Sequence, residues 1–194
     1  MNLKMVLKMS RKVLIIGAGG IGSFLIPLLD KTKLYEIDVA DPDKVEKKNL
    51  TYQNFKEKEV GQNKALCMGW NYSSVKQGIP YPILTADQIK KYDMVICCAD
   101  NLDVRRLLYR TKGNFLDLRS QGRNCAFVSH LADPNLYDTM LAGPEGSFSC
   151  QGDSWDGSNK NLHYMQVAIA GMGAEWLQRW FNDESVEPFK VVNV

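Results

Sequence analysis

The sequence predicts an α/β fold: a mainly parallel sheet covered by helices on both faces, with an antiparallel extension toward the C-terminus. Three observations carry that expectation. Residues 13–22 read Val-Leu-Ile-Ile-Gly-Ala-Gly-Gly-Ile-Gly, a short apolar run feeding a glycine-rich turn that opens a helix. The first half then alternates short apolar runs with helical patterns, the rhythm of βαβ units, and such crossovers demand a parallel sheet. The second half drops that rhythm and returns to alternating, strand-like runs. Together these describe a Rossmann-like, doubly wound architecture.

The elements follow in order. Val13–Ile16 is expected as a buried parallel strand and Gly20–Asp30 as a helix with Phe24, Ile26, Leu28 and Leu29 on its apolar face. Pro27 inside that helix removes an N–H and should loosen or kink it. Leu34–Ala40 is the next strand, followed by a polar stretch, Asp41–Glu59, anchored by Val45, Leu50 and Phe55. Gly61–Trp70 reads as helix, Tyr81–Leu84 as a short strand and Ala86–Lys90 as a helical turn. Met94–Cys98 is a near-continuous apolar strand, as expected when both faces are covered. Leu102–Arg110 reads as helix and Phe115–Leu118 as strand. Asn124–His130 alternates and suits an antiparallel strand, and Phe189–Val194 would close the sheet. Between them, about 133–161 is rich in Gly, Pro, Ser and Asp and reads as an irregular crossover. Leu162–Phe181 returns as a helix. Met165, Ile169, Met172, Trp176 and Trp180 recur on it at helical spacing, a stripe that suits core or subunit packing. Gly171 and Gly173 on the same helix suggest close approach by another backbone.

The chain has 194 residues, suited to a single domain spanning 1–194, and no linker divides it. The net charge is +2 with acids and bases interleaved, which argues against nucleic acid or an anionic membrane as partner. Lys4, Lys8, Arg11 and Lys12 read as a solvated lead-in to the first strand. Met1–Met9 is a poor secretory signal and no run is long enough to span a bilayer. The five cysteines (Cys67, Cys97, Cys98, Cys125 and Cys150) form no C-x-x-C pair. Neither a disulfide framework nor a zinc site is expected, and reduced thiols in a cytoplasm are the simple reading. Cys97 and Cys98, adjacent on one strand, should point to opposite faces.

The glycine turn is the first chemical signal. Gly17 permits the tight turn, Gly19 lets a phosphate approach the backbone, and Gly22 lets the helix lie close. The free N–H groups at the helix start then face an anion. Asp41, at the end of the second strand, lies where an acid holds a ribose hydroxyl pair, a position that suits a dehydrogenase cofactor and an ATP ribose equally. Lys64 alone would be a surface lysine, Asp100 alone a helix N-cap, and Arg105 alone half of a surface ion pair. As an ordered set they mean more. The chain reads Asp41-Pro-Asp43-Lys-Val-Glu-Lys-Lys-Asn49-Leu-Thr-Tyr52-Gln53, then Gly61-Gln-Asn-Lys64-Ala65, then Asp100-Asn101-Leu-Asp-Val-Arg105.

With the glycine turn, these blocks resemble the ThiF/MoeB family, whose fold is that of the ubiquitin-activating enzymes. The family signature runs from the glycine turn through D-x-D-x-V-x-x-x-N-L-x-R-Q to G-x-x-K and D-N-x-x-x-R, and the helix around Gly171–Trp180 is similar to the one that follows the family's crossover loop. The resemblance implies an ATP- and Mg2+-dependent adenylyltransferase. In such enzymes the C-terminal carboxylate of a small β-grasp (ubiquitin-like or sulfur-carrier) protein, or of a peptide, attacks the α-phosphate, pyrophosphate leaves and an acyl-adenylate remains. By the same resemblance Gly17, Gly19, Gly20 and Gly22 shape the nucleotide turn, Asp41 holds the ribose, and Asp43 belongs to the ATP site. Asn49 and Gln53 face the phosphates, Lys64 neutralises their charge, and Asp100, beside Asn101, orients Mg2+. A homodimer is also implied, and the large apolar face of the Met/Trp helix points the same way.

Two departures stand out. The family's phosphate-contacting arginine is Tyr52 here, and a phenol carries no cation. Arg11, Arg105, Arg119, Arg123 or a partner subunit are the candidates to replace it. The paired C-x-x-C zinc motifs are missing as well. Some members use a cysteine on or near the crossover for a thioester or persulfide step, a role for which Cys150 is the candidate; an incidental loop thiol is the competing reading. His130 and His163 read as structural histidines. Tyr52 keeps open a catalytically impaired nucleotide-binding partner subunit. An NAD-dependent oxidoreductase is the third reading, though it gives Lys64 and the Asp100-Asn101 block no task.

Overall fold

A computed structural model describes residues 11–141, 150, 151, 158 and 162–194. Its strands are β1 (Arg11–Ile16), β2 (Tyr35–Ala40), β3 (Val75–Ile79), β4 (Met94–Cys97), β5 (Phe115–Gln121), β6 (Asn124–Ser129) and β7 (Phe189–Asn193). Its helices are α1 (Gly22–Thr32), α2 (Lys64–Asn71), α3 (Ala86–Ile89), α4 (Leu102–Arg110), α5 (Pro134–Leu141) and α6 (Met165–Phe181). All seven strands form one sheet in the order β3-β2-β1-β4-β5-β6-β7. The five from β3 to β5 pair in parallel, and β6 and β7 add on antiparallel. This is the predicted architecture. The chain leaves β1 toward β2 on one side and returns to β4 on the other, so a crevice opens at the C-terminal ends of β1 and β4, where open α/β sheets take ligands.

The central strands are apolar throughout because both their faces are covered. Val13 and Ile15 of β1 and Met94 and Ile96 of β4 pack toward α1, α2 and α6. Leu14, Ile16, Val95 and Cys97 face α3 and α4. Cys97 and Cys98 therefore fall on opposite faces, as expected. α1 continues through Pro27 to Thr32 because the carbonyl of Ser23, which Pro27 cannot serve, finds a donor in Asn54.

Three expectations need correction. The strand expected at Tyr81–Leu84 is not formed; β3 lies just before it, at Val75–Ile79. Tyr81 and Leu84 are 68% and 72% exposed, and only Ile83 is buried. β3 is a polar edge strand, invisible to an apolar pattern, and its signal was Gly78. A Cβ there would sit 2.6 Å from the Ala65 carbonyl oxygen, so α2 crosses close over this strand. The second correction concerns the segment about 133–161, whose first part forms α5. Pro134 occupies the first helical position, where a missing N–H costs nothing, and Asp133 accepts the Asn135 N–H at 2.9 Å. The remainder, at 142–149, 152–157 and 159–161, lies outside the described residues, as do Lys4, Lys8 and the rest of 1–10.

The third correction concerns α6. Ile169 and Trp176 of its apolar stripe are buried against the chain's own sheet, and Met165, Met172 and Trp180 pack on the same core. The Trp176 indole donates to the Glu187 carbonyl at 2.8 Å. The stripe packs on this chain's own core, the first of its two expected tasks, so by itself it gives no ground for a second subunit. A Cβ at Gly173 would meet the Leu118 side chain at 2.6 Å, a close approach by a side chain and not by backbone, whereas Gly171 faces open space.

Candidate active site

The crevice holds a cavity of about 450 Å3 walled by the glycine turn, the segment after β2, the start of α2 and the segment after β4. The glycine turn is shaped by contact. Gly17 has φ +95°, and a Cβ there would lie 2.8 Å from the Ala99 nitrogen. At Gly22 a Cβ would fall 2.0 Å from the Gly17 carbonyl oxygen, so the first turn of α1 closes directly onto the turn that precedes it. Gly20 is backed by Cys150, whose Sγ would sit 2.9 Å from its Cβ. Gly19 differs, since nothing approaches its Cβ position closer than the Gln53 Nε2 at 3.8 Å. No side chain caps α1, and the Ser23 and Phe24 N–H groups donate to the Gly19 and Ile21 carbonyls, each at 3.1 Å.

Asp41 is 5% exposed and serves the backbone. One carboxylate oxygen accepts the Ala18 N–H at 2.7 Å and the other the Asp43 N–H at 2.8 Å. Burial pushes its carboxyl above the usual range, opposed by the Lys64 ammonium and those two donors. Asp43, on the rim, holds the Lys64 Nζ at 3.2 Å, and the Lys64 side chain is only 9% exposed. The two are fixed by a short backbone ladder in which the Lys64 N–H donates to the Asp43 carbonyl at 2.9 Å. Asn63 locks it. Its Oδ1 accepts the Leu66 N–H as the N-cap of α2, while its Nδ2 donates to the Asp41 and Asp43 carbonyls at 2.8 and 3.0 Å. Asn63 is a site residue beyond those the sequence singles out, and its signal is an Asn directly before a helix.

Asn49 and Gln53 belong to the same wall. Asn49 Oδ1 accepts the Glu46 N–H at 2.8 Å, and its Nδ2 donates to the Tyr52 hydroxyl at 3.3 Å. Gln53 is 8% exposed, and its side-chain oxygen is a buried polar atom with no protein partner. From the other side, Asn101 caps α4 by accepting the Asp103 and Val104 N–H groups at 2.8 and 3.2 Å. The cap is thus Asn101 and not Asp100, which lines the cavity one residue earlier. The structure therefore gathers Gly17, Gly19, Gly20, Asp41, Asp43, Asn49, Gln53, Lys64, Asp100, Asn101 and Cys150 around one cavity. Gly22 supports it from behind.

A model of the ThiF family matches residues 4–114, from before β1 to the start of β5. The chain belongs to the ThiF family. The adenylyltransferase and sulfurtransferase MOCS3 of Caenorhabditis briggsae is 30% identical over 105 residues, 50% of this chain and 26% of that protein. The NEDD8-activating enzyme E1 catalytic subunit of Caenorhabditis elegans is 31% identical over 133 residues, 63% of this chain and 27% of that protein. The chain thus spans about a quarter of these relatives. Among solved structures, MccB of E. coli with ATP superimposes with a TM-score of 0.67 at 19% identity, covering 95% of this chain and 60% of that one. The microcin C7 biosynthetic enzyme MccB in complex with N-formylated MccA gives 0.68 at 19%, covering 97% and 62%. At this identity the likeness is one of fold.

Within this ThiF fold the arginines proposed to offset Tyr52 are placed elsewhere. Arg11, at the far end of β1 from the cavity, donates to the Phe181 carbonyl at 2.7 Å and lies 4.8 Å over the Phe181 ring. Arg105 was expected on the surface, but it is buried with the fully buried Asp117 at 3.2 Å. Burial opposes its charge, and Asp117 outweighs burial and holds the guanidinium charged. Arg119 donates to the same Asp117 at 2.8 Å, and Arg123 is exposed in the β5–β6 turn. The lysines that line the cavity are Lys64 and Lys48. Lys48 was missed because it reads as one of several solvated lysines in a polar stretch. Cys150 is held as a thiol: burial and the nearby Asp100 push it up to about 12. No group of three or more His, Cys, Asp or Glu placed to hold a metal occurs among the described residues.

Proposed function

We propose that this chain is an ATP-dependent adenylyltransferase that activates the C-terminal carboxylate of a small ubiquitin-like protein or a peptide as an acyl-adenylate. One observation carries the reading. Lys64 and Asp100, distant in sequence and on opposite sides of β1, line the same cavity at the mouth of the glycine turn. The unpartnered oxygen of Gln53, a residue of the cavity lining, supports it, because a buried polar atom calls for a partner. So do the relatives named as an adenylyltransferase and sulfurtransferase and as a NEDD8-activating enzyme subunit, and MccB with ATP and with MccA.

A terminal carboxylate is ionised at neutral pH, so the reaction needs no general base. Its demands are alignment and charge neutralisation. The Gly19 backbone and the start of α1 would hold phosphate oxygens, Asp43 with the Asp41 segment would take the ribose, and Asn49 and Gln53 would orient the phosphates. Lys64 would place its ammonium on the reacting phosphoryl group from a site that burial has already dried. The lining carries four carboxylates (Asp41, Asp43, Glu46 and Asp100) against the ammonium groups of Lys48 and Lys64. A triphosphate adds further negative charge, so the site suits a nucleotide that arrives with Mg2+, held by Asp100 and the phosphates together. The cation would neutralise the departing pyrophosphate. Cys150, held as a thiol, would form the wall behind Gly20 and take no covalent step.

No helix among the described residues is long and apolar enough to cross a membrane, and all five cysteines are free thiols. We place the protein in a reducing cytoplasm, and a homodimer follows only from the family resemblance. The test is pyrophosphate–ATP exchange with small proteins and peptides bearing a free C-terminus. Substrate-dependent exchange that disappears in Lys64→Ala is the expected result. Tyr52 favours one competing reading, a nucleotide-binding subunit without turnover, which would bind ATP tightly and show no exchange until Tyr52→Arg is introduced. An NAD enzyme would instead be stabilised by NAD over ATP–Mg2+ in a thermal-shift comparison.

A further inference from the structure

We propose that Lys48 supplies the phosphate-contacting charge that Tyr52 lacks, so that two side chains divide the work of one guanidinium. The inference rests on the ATP reading above. A guanidinium delivers charge and directed hydrogen bonds from one group. Tyr52 keeps only the hydrogen-bonding part. Tyr52 lines the cavity, its hydroxyl accepts from Asn49 Nδ2 at 3.3 Å, and a phenol is a donor as well as an acceptor.

Lys48 is placed to deliver the charge. It lies on the 3-10 helix Lys47–Thr51, whose C-cap is Tyr52, and both residues line the cavity. They lie four residues apart along the chain, and both belong to the wall that this short helix forms. Lys48 is unlike the other lining lysine. Lys64 is 9% exposed and tied to Asp43, so it serves one fixed point, whereas the Lys48 side chain is 62% exposed on a long flexible stem. Its partner is Glu46 at 2.7 Å, itself 59% exposed. An exposed pair of this kind is weak, and a polyphosphate of higher charge density can displace the carboxylate. The arginines that might compete are committed to Phe181 and Asp117 or exposed in the β5–β6 turn.

The experiment is ATP–Mg2+ titration of the whole chain and four variants, with Tm recorded for each. Lys48→Ala should weaken ATP binding about tenfold, the scale of one exposed charge-assisted contact, with Tm unchanged. Lys48→Arg should hold wild-type affinity. Tyr52→Arg placed on Lys48→Ala should restore the lost affinity. Equal affinity in Lys48→Ala and wild type overturns the inference, and so does a folded double variant that regains nothing. Lys64→Ala separates the two levels of the reading. If it loses ATP binding while Lys48→Ala does not, only the Lys48 inference fails; if wild type binds no ATP, the adenylyltransferase reading fails as well.

Discussion

The Asn54 side-chain amide donates to the Ser23 carbonyl at 3.2 Å, and the Asn54 N–H donates to the Ser23 hydroxyl at 3.0 Å. In an uninterrupted helix the Ser23 carbonyl would receive the N–H of residue 27, but Pro27 has none. Asn54 therefore repairs α1 from outside, and in doing so ties the segment carrying Tyr52 and Gln53 to the helix that starts at the glycine turn. Asn54→Ala also removes the bond its amide donates to the Tyr72 hydroxyl at 3.3 Å, and is expected to cost about 1–2 kcal/mol for the two. Pro27→Ala restores the internal donor, so the double variant should lose less than the two single effects combined. Chemical denaturation of the four proteins measures the coupling; strict additivity would show that the repair does not operate.

Gly19 and Gly22 separate binding from folding. Gly22→Ala drives a Cβ to 2.0 Å from a backbone oxygen that cannot give way, and should cost roughly 3 kcal/mol or more. Gly19→Ala meets nothing closer than 3.8 Å, so Tm should be unchanged while the methyl group occupies the phosphate approach and ATP affinity falls. A thermal melt with and without ATP–Mg2+ distinguishes them. A Gly19→Ala protein with normal ATP stabilisation would remove the glycine turn from the phosphate site.

Asn63 carries both a helix cap and two bonds that hold Asp41 and Asp43 against α2. Asn63→Ala should cost about 1–2 kcal/mol and also weaken ATP binding, because Lys64 loses its anchor. Asn63→Asp keeps the cap acceptor and loses the donors, so it should recover part of the stability and none of the affinity. Equal recovery of both would mean that the clamp on Asp41 and Asp43 is immaterial.

The parallel core was legible in the sequence because strands buried on both faces are apolar at every position, as in Val13–Ile16 and Met94–Cys97. The cavity lining was legible as ordered blocks, since Asp41, Lys64 and Asp100 keep their spacing along the chain. What escaped has identifiable causes. β3 is a polar edge strand betrayed only by Gly78, and α5 was hidden in a segment judged by composition although Asp133-Pro134 is a helix start. The burial of Arg105 depends on Asp117, twelve residues away on another element, a pairing that no local pattern reveals. Lys48 was obscured because one lysine among several in a polar stretch gains meaning only from the wall it stands on.

His130 gives the fold a pH dependence whose sign can be worked out. Its ring lies edge-on to Trp176 and Trp180 at 6.3 and 5.9 Å, and its Nδ1 is 3.1 Å from the Phe115 carbonyl oxygen. Burial lowers its pKa below the ordinary 6.5, opposed by that backbone contact. The unfolded chain therefore binds a proton before the folded one does. Stability is full above about pH 6.5 and is lost as pH falls through the lowered folded value. Asp41 acts in the opposite direction, because its folded pKa is raised above 3.8; the stability linked to its protonation is present in acid and lost as pH rises. Asp30, lowered by its Lys33 and Ser74 hydrogen bonds against the effect of burial, matters only below the ordinary 3.8. Between about pH 7 and pH 5 the His130 effect should dominate, so Tm should fall across that interval. His130→Phe keeps an aromatic ring against the stacked Trp176 and Trp180 and removes the titrating group, so its Tm should stay level there. An identical slope in both proteins would place the acid sensitivity at another residue.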